Sequence, residues 1–356
     1  MKCRIDPVYR VHFSACSPSS TVPANIYGID EATQTFDSRR LLCYIDKNIL
    51  ARKEILMDSF HKPQDSSYTE PDEIDLTNIR VLRNLLADHN MRPNKSFGQN
   101  FLIDRSVLQK IVNAAEIGPD DEILEVGAGT GVLTRELARL AHKVVAVELE
   151  RDMLSLLAET TKGYSNISVI AGNLLFLDPV EIFGQAPYKL VANLPYYITA
   201  PTFRHFLESA NPPRLLVVMV QLEVAQRIVA TPGAMSLLAI SVQFYGTPRI
   251  VARVPAHTFY PAPKVDSAIL CIDVNPQAPL IPEERDSFFQ VVQAGFSERR
   301  KQLHNSLTHG LHYKNELVRA WLAAATIDAR RRAETLSIEE WLRLWRVIDA
   351  SKPGAC

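Results

Sequence analysis

The chain has 356 residues, 47% of them hydrophobic, and a formal net charge of −1. That length leaves room for a sizeable core in two or three domains, while the near-neutral balance excludes a uniformly basic coat and confines any RNA-binding surface to a local patch. No apolar run approaches the roughly 20 residues of a membrane span, and the N-terminus lacks the apolar core of a signal peptide, so a cytoplasmic protein without a membrane partner is expected.

Residues 1–72 are rich in Ser, Thr, Asp and Pro and carry no sustained hydrophobic period, which predicts a disordered or weakly ordered segment. A start codon placed too far upstream would give the same composition, with Met57 as the alternative start. From Leu76 to Leu86 apolar residues recur at helical spacing, and Arg92-Pro93 breaks the pattern. From Asp121 strands and helices alternate. Glu122–Val126 reads as a buried strand, residues 127–131 as a tight turn and Val132–Leu140 as a helix; a second strand runs over Lys143–Val147 and ends at Glu148. Asp152–Thr160 is expected to be helical, Ile167–Ile170 a third strand, Lys189–Ala192 a fourth, and Leu215–Val220 a fifth after a helix that follows Pro201. Further strands are predicted near Val242–Tyr245 and Ala268–Val274. This rhythm predicts an α/β fold with a mostly parallel sheet and helices on both faces. From Pro282 the pattern is helical throughout, giving a small all-α C-terminal domain over residues 281–350 beside a catalytic domain over residues 73–275. The five cysteines (Cys3, Cys16, Cys43, Cys271, Cys356) have neither paired nor ligand-like spacing, so neither a disulfide nor a metal site is expected.

Glu125-Val126-Gly127-Ala128-Gly129-Thr130-Gly131 lies where a strand gives way to a helix, so Gly127 and Gly129 would let a ligand approach the backbone at a helix N-terminus. A dinucleotide fingerprint needs a third glycine where Val132 stands, and the absence of Gly-Lys-Ser/Thr excludes a P-loop. A structural βα turn would read alike, but Glu148 closes the next strand about twenty residues on, where a carboxylate can accept both hydroxyls of a ribose. G-x-G-x-G after an acidic residue resembles the S-adenosylmethionine turn of class I methyltransferases. Their next strand usually ends in an Asp that accepts from the cofactor's adenine amine. Here Asn173 occupies that place, with an acceptor oxygen but no charge and an added donor.

Asn193-Leu194-Pro195-Tyr196 follows the fourth strand. An exocyclic base amine is a poor nucleophile because its lone pair is delocalised, so alkylating it requires acceptors for its N–H groups. The Asn193 side chain and the Leu194 carbonyl would supply them. Pro195 restricts Leu194 to extended geometry, and Tyr196 offers a ring on which a flipped base can stack. A strand end with a proline turn is the structural alternative.

Together, Lys95-Ser96-Phe97-Gly98-Gln99-Asn100-Phe101-Leu102, the glycine turn, Glu148, the tetrapeptide at 193–196 and the run from Phe259 to Ser267 resemble the ribosomal RNA adenine N6-dimethyltransferases, from about Leu76 to Asp349. The tail motifs Phe296-Ser297-Glu298-Arg299-Arg300-Lys301 and Ile327 to Glu334 are similar to the small-subunit (16S) branch of that family. The resemblance implies a class I, Rossmann-like catalytic domain that uses S-adenosylmethionine to dimethylate two adjacent adenosines in the 3′-terminal hairpin loop of 16S rRNA, within the small ribosomal subunit or its precursor. It implies that Gln99, Asn100 and Leu102 close over the methionine end of the cofactor, with Gly127 and Gly129 on its backbone side, Glu148 on its ribose and Asn173 on its adenine. Asn193 and Tyr196 would hold the target base. Phe259 would be the opposing wall; Phe alone reads as core, whereas the prolines after it favour an exposed loop. Arg299, Arg300, Lys301, His304, Arg330, Arg331 and Arg332 would meet RNA phosphates, although such charge runs also occur as solvated faces. A monomer is expected. A macrolide-resistance type large-subunit enzyme, a DNA adenine methyltransferase, a non-catalytic ribosome-assembly factor and a dinucleotide oxidoreductase are the alternatives, the last disfavoured by Val132.

Overall fold

The computed structural model describes residues 74–94 and 98–351. The expectations for residues 1–72, including the alternative start, lie outside the described residues, as do those for Lys95, Ser96 and Phe97. Helix α1 (Ile79–Asp88) begins where the Asn78 side chain accepts from the Arg80 N–H, and strand β1 (Phe101–Leu102) leads into α2 (Arg105–Ala114), capped by Asp104. There follow β2 (Glu122–Val126), α3 (Val132–Ala138), β3 (Lys143–Glu148), α4 (Arg151–Thr160), β4 (Ile167–Ala171), α5 (Pro179–Phe183), β5 (Tyr188–Asn193), α6 (Thr199–Leu207) and β6 (Leu215–Gln221). Helices α7 (Leu222–Ile228) and α8 (Leu237–Gln243) precede β7 (Gly246–Val254), β8 (Phe259–Tyr260) and β9 (Ser267–Val274). Four helices then close the described chain: α9 (Pro282–Phe296), α10 (Leu303–Leu311), α11 (Asn315–Ala324) and α12 (Ile338–Ala350).

The main sheet has the order β4-β3-β2-β5-β6-β9-β7, parallel from β4 to β6 and antiparallel at β9 and β7. Successive residues of its strands point to opposite faces. Leu124, Val145, Leu190 and Val218 face α6 and α8 on one side, while Ile123, Val144, Val191 and Val217 face α2 and α3 on the other. The expected α/β sheet with helices on both faces is therefore what the chain forms. Its central strands are buried on both sides, which is why they read as unbroken apolar runs.

One expected strand is absent. Val242 belongs to α8, which Ser236 caps by accepting from the Ala239 N–H, and the strand begins only at Gly246. The β-branched and aromatic run at 242–245 is apolar because α8 packs Ala239, Ile240 and Val242 into the core. The true strand β7 lies at the sheet edge, alternates half-buried with exposed residues, and carries Pro248, so it shows no apolar run.

The helical C-terminal region continues the core of one sheet face. The Phe244 ring lies 5.0 Å from Phe288 and 5.3 Å from Phe289, and the Trp345 indole N–H donates to the Ser287 hydroxyl over 2.9 Å. Helices α9 and α12 approach so closely that a Cβ on Gly295 would sit 2.3 Å from the Trp341 ring.

Sheet register decides where the chemistry gathers. Val126 pairs with Val147 and Ala192, Glu148 with Ala171, and Asn193 with Met219, so the carboxyl ends of β2, β3, β4 and β5 share one edge. From β2 the chain runs outward to β3 and β4, then β5 returns to the other side of β2. Strand order reverses there, which is where a parallel sheet opens a crevice.

Candidate active site

The residues after β2 form the floor of this crevice. Gly127 and Ala128 donate their N–H groups to the Val147 carbonyl at 2.9 and 3.2 Å, which folds the turn back over β3. Gly127 and Gly129 have φ of 71° and 54°, values that favour glycine. A Cβ on Gly127 would lie 3.9 Å from both the Asn193 carbonyl oxygen and the Pro195 ring, so the glycine turn and the tetrapeptide are in contact.

Glu148 is fixed by backbone amides alone. One carboxylate oxygen accepts from Gly129 N–H at 2.8 Å, and the other from Leu149 and Glu150 N–H at 2.8 and 3.0 Å. The oxygen that accepts only from Gly129 retains acceptor capacity for a hydroxyl, while the other already accepts from both Leu149 and Glu150. Asn173 lies beside it, because Gly172 N–H donates to the Glu148 carbonyl. The Asn173 oxygen accepts from the Leu175 N–H at 3.0 Å, which turns its amide NH2 outward. Three strand ends thus offer a glycine turn that a ligand can approach closely, an anchored carboxylate and an outward amide donor. That donor set fits a nucleoside.

Glu125 lies directly beneath the glycine turn, buried, with one carboxylate oxygen lacking any hydrogen-bond partner. Burial pushes its carboxyl up to about 8, with the Thr134 hydroxyl opposing and the neighbouring Glu148 charge adding to the shift. Sequence reasoning gave Glu125 no role beyond that of the acid preceding the turn.

On the other wall, Asn193 ends β5 and donates its side-chain N–H to the Asn100 carbonyl at 3.2 Å. This bond orients the amide and leaves Oδ1 as the acceptor. Leu194 is buried and Pro195 is extended, with ψ of 132°. The half-buried Tyr196 is held by a 2.8 Å hydrogen bond between its hydroxyl and Ser267, at the start of β9. Burial raises its phenol above the ordinary value, Ser267 lowering it and Asp266 adding to the rise. Gln99 is clasped at both ends, accepting from Asn94 N–H at 2.6 Å and donating to Glu150 at 2.7 Å. The Asn100 amide donates to the Gly98 carbonyl at 2.9 Å. The glutamate partner of this clasp had a sequence signal only in its place two residues after Glu148.

Two expectations about side-chain placement change. Phe259 is not in an exposed loop: it forms β8, pairs with Leu102 of β1, and is 3% exposed. Leu102 is equally buried, in the same apolar cluster. The prolines after Phe259 start the loop only beyond Tyr260.

The basic surface is narrower than the sequence suggests. Arg299, Arg300 and Lys301 are exposed. Arg331 turns inward onto Glu340, at 2.5 and 3.0 Å, and onto the Thr335 carbonyl. His304 is buried between the Ala329 carbonyl and Arg319, and Arg330 pairs with Asp328 while remaining exposed. The acids that hold Arg330 and Arg331 are two residues before one and nine after the other, so the charge run alone did not reveal them. No helix among the described residues is long and apolar enough to cross a membrane.

A parallel sheet with its glycine turn, ribose-type acid and tetrapeptide at one edge defines a class I methyltransferase fold. The family model described as ribosomal RNA adenine dimethylase matches residues 90–350. A protein of Dehalococcoides mccartyi named ribosomal RNA small subunit methyltransferase A is 48% identical over 264 residues, covering 74% of this chain and 90% of its own. One of the same name from Clostridioides difficile is 42% identical over 281 residues, 77% of this chain and 97% of its own. Among solved structures, a dimethyladenosine transferase from Plasmodium falciparum superposes with a TM-score of 0.60 at 26% identity, covering 70% of this chain and 98% of its own. The 23S rRNA methyltransferase ErmE gives 0.58 at 30% identity, over 70% of this chain and all of its own. The chain belongs to the ribosomal RNA adenine dimethylase family.

Proposed function

We propose that the protein dimethylates the N6 amines of two adjacent adenosines in the 3′-terminal hairpin loop of 16S rRNA, using S-adenosylmethionine, on the small ribosomal subunit or its precursor in the cytoplasm. The observation that carries this reading is the contact between the Gly127 turn and Asn193-Leu194-Pro195-Tyr196, which puts a nucleoside-type cofactor seat against an amine-type substrate seat. When bound, S-adenosylmethionine supplies a methyl group activated on a sulfonium. Gly127 and Gly129 hold it by backbone, Glu148 by its ribose hydroxyls and Asn173 at its adenine, while Gln99 and Asn100 border its methionine end; Leu102 fixes that segment from the core. Asn193 Oδ1 and the Leu194 carbonyl accept the two N–H groups of the target amine and orient its lone pair. Tyr196 stacks on the base, and Phe259 supports the opposing wall. Positioning and hydrogen bonding are the main catalytic effects. The chain needs no general base, because the N6 proton becomes acidic once the nitrogen carries the new bond.

The catalytic part (73–275) and the helical part (281–350) divide this work. Arg299, Arg300 and Lys301 contact rRNA phosphates, with Arg330 released from Asp328 to join them and Arg331 shaping the loop from below. The enzyme acts as a monomer. In the test, labelled S-adenosylmethionine is incubated with unmodified small subunits and the product nucleoside identified. N6,N6-dimethyladenosine is expected. Asn193→Ala should lower transfer by about a hundredfold or more while leaving S-adenosylhomocysteine affinity nearly intact; retained dimethylation would remove Asn193 from its role.

A further inference from the structure

A cavity borders the short β1–β8 ribbon at Tyr260. About 420 Å³ of space opens between α1, the turn after it and β8, lined by Arg83, Asn90, Met91, Arg92, Pro93 and Tyr260 among others, with no carboxylate among the described residues of its wall. The Arg83 guanidinium lies over the Tyr260 ring, 4.7 Å from its centre. Arg83 and Arg92 are exposed and form no ion pair among the described residues. Two arginines without an acidic partner among the described residues share one pocket in a chain of net charge −1, beside an aromatic ring and an apolar floor. This pairing of phosphate-binding cations with a stacking surface suits a nucleotide, and the volume falls in the range of ligand sites.

Its position ties the cavity to the substrate seat. Tyr260 pairs with Phe101, and the residue before Phe101 is Asn100, whose carbonyl holds the Asn193 amide. We propose that this cavity binds one nucleotide of the RNA strand that flanks the target adenosine. Arg83 and Arg92 grip its phosphate, and its base or ribose lies against Met91, Pro93 and Tyr260. The exposed arginines leave one side of the pocket in water, which suits a link of a continuing polymer better than an enclosed small molecule. The proposal rests on the rRNA reading above and extends it from the target base to its neighbour.

The test compares wild type with Arg83→Ala, Arg92→Ala and the double variant on unmodified small subunits. KM for the subunit should rise about tenfold in the double variant, with kcat within about twofold and S-adenosylhomocysteine affinity unchanged. The slope of log affinity against log salt should fall by about 0.7, the share of one single-strand phosphate. Arg83→Lys should keep that slope. Arg92 is exposed and forms no ion pair among the described residues, so Arg92→Ala remains informative even if Arg83→Ala loosens α1. An unchanged KM and salt slope would overturn the proposal. So would binding of adenosine monophosphate that both alanines abolish without affecting the subunit KM, since the site would then serve a free nucleotide. If the wild type transfers no label at all, the methyl-transfer reading fails instead, and the salt slope for RNA binding still tests the cavity.

Discussion

Asn173 shows how a single residue can keep its place and change its polarity. Its oxygen caps the turn at Leu175, so the group left to face a ligand is NH2, a donor where a carboxylate would present an acceptor. Aspartate would keep the cap with one oxygen and offer the other to an adenine amine. Asn173→Asp is therefore expected to tighten S-adenosylhomocysteine binding by about 1 kcal/mol, several-fold in Kd by calorimetry; an unchanged Kd would mean that the side chain does not reach the ligand. Glu125 makes a second residue-scale prediction. Its carboxyl rises from 4.5 to about 8 on folding, so between those values the folded chain keeps a proton that the unfolded chain has released. Stability contributed by the protonated form is full below 4.5 and is lost as pH rises through 8. Glu125→Gln lacks that dependence, and its stability relative to wild type in urea unfolding should grow from pH 5 to pH 8.5. A difference that stays flat would show that Glu125 is already ionised in the folded protein. The placement of Glu148 and the tetrapeptide at one sheet edge was legible because each directly ends or follows an apolar strand. The partners that orient Asn193 and Tyr196, the Asn100 carbonyl and Ser267, lie 93 and 71 residues away in the chain, and no local pattern encodes such a meeting.

Among elements, β2 matches its sequence-derived range and β3 to β6 differ only by a residue or so at their ends; burial on both faces writes β2, β3, β5 and β6 as apolar runs, while the edge strand β4 is legible from its β-branched residues. Strand β7 escaped because an edge strand needs only one apolar side, and α8 imitated a strand because it is short and apolar. The two-residue ribbon of β1 and β8 has no periodicity to detect, and yet it is what carries Phe259 into the core. Packing among the C-terminal helices depends on two glycines. At Gly295 a methyl group would overlap Trp341 at 2.3 Å, and at Gly310 it would lie 2.7 Å from Ala294. Alanine favours helices by about 1 kcal/mol over glycine, but here the collision is with a buried indole that cannot swing away. Gly295→Ala should lower stability by about 1–3 kcal/mol in thermal or urea unfolding; a stabilised variant would show that α9 and α12 can separate at little cost.

At the scale of the whole molecule, the edge of the sheet opposite the crevice carries a different kind of anchor. Lys189, at the start of β5, donates to the Ala115 and Glu116 carbonyls and pairs with Asp121 at 2.8 Å, while Arg214 closes on the same carboxylate. Burial alone would raise the Asp121 carboxyl; the Gly118 N–H, Lys189 and Arg214 outweigh it and hold the group below its ordinary value. Stability from this cluster is complete above the unfolded value of 3.8 and is lost as pH falls through the depressed one. Lys189→Met should cost about 3 kcal/mol at neutral pH by leaving the acid and two carbonyls short of a partner, and should flatten the loss of stability in acid; the two together are read from urea unfolding between pH 2 and pH 7.

The shared aromatic packing of Phe244, Phe288 and Phe289 has a consequence for how a target is chosen among thousands of adenosines. Under the proposed function, the helices that would grip RNA and the edge that would receive a base are joined through these side chains. Their separation is thus built into the core as a fixed length, and an RNA qualifies as substrate only if its own folded shape spans that length. On that reading selection would act on geometry first, and the acceptors proposed at Asn193 and Leu194 would meet only bases that had already been measured.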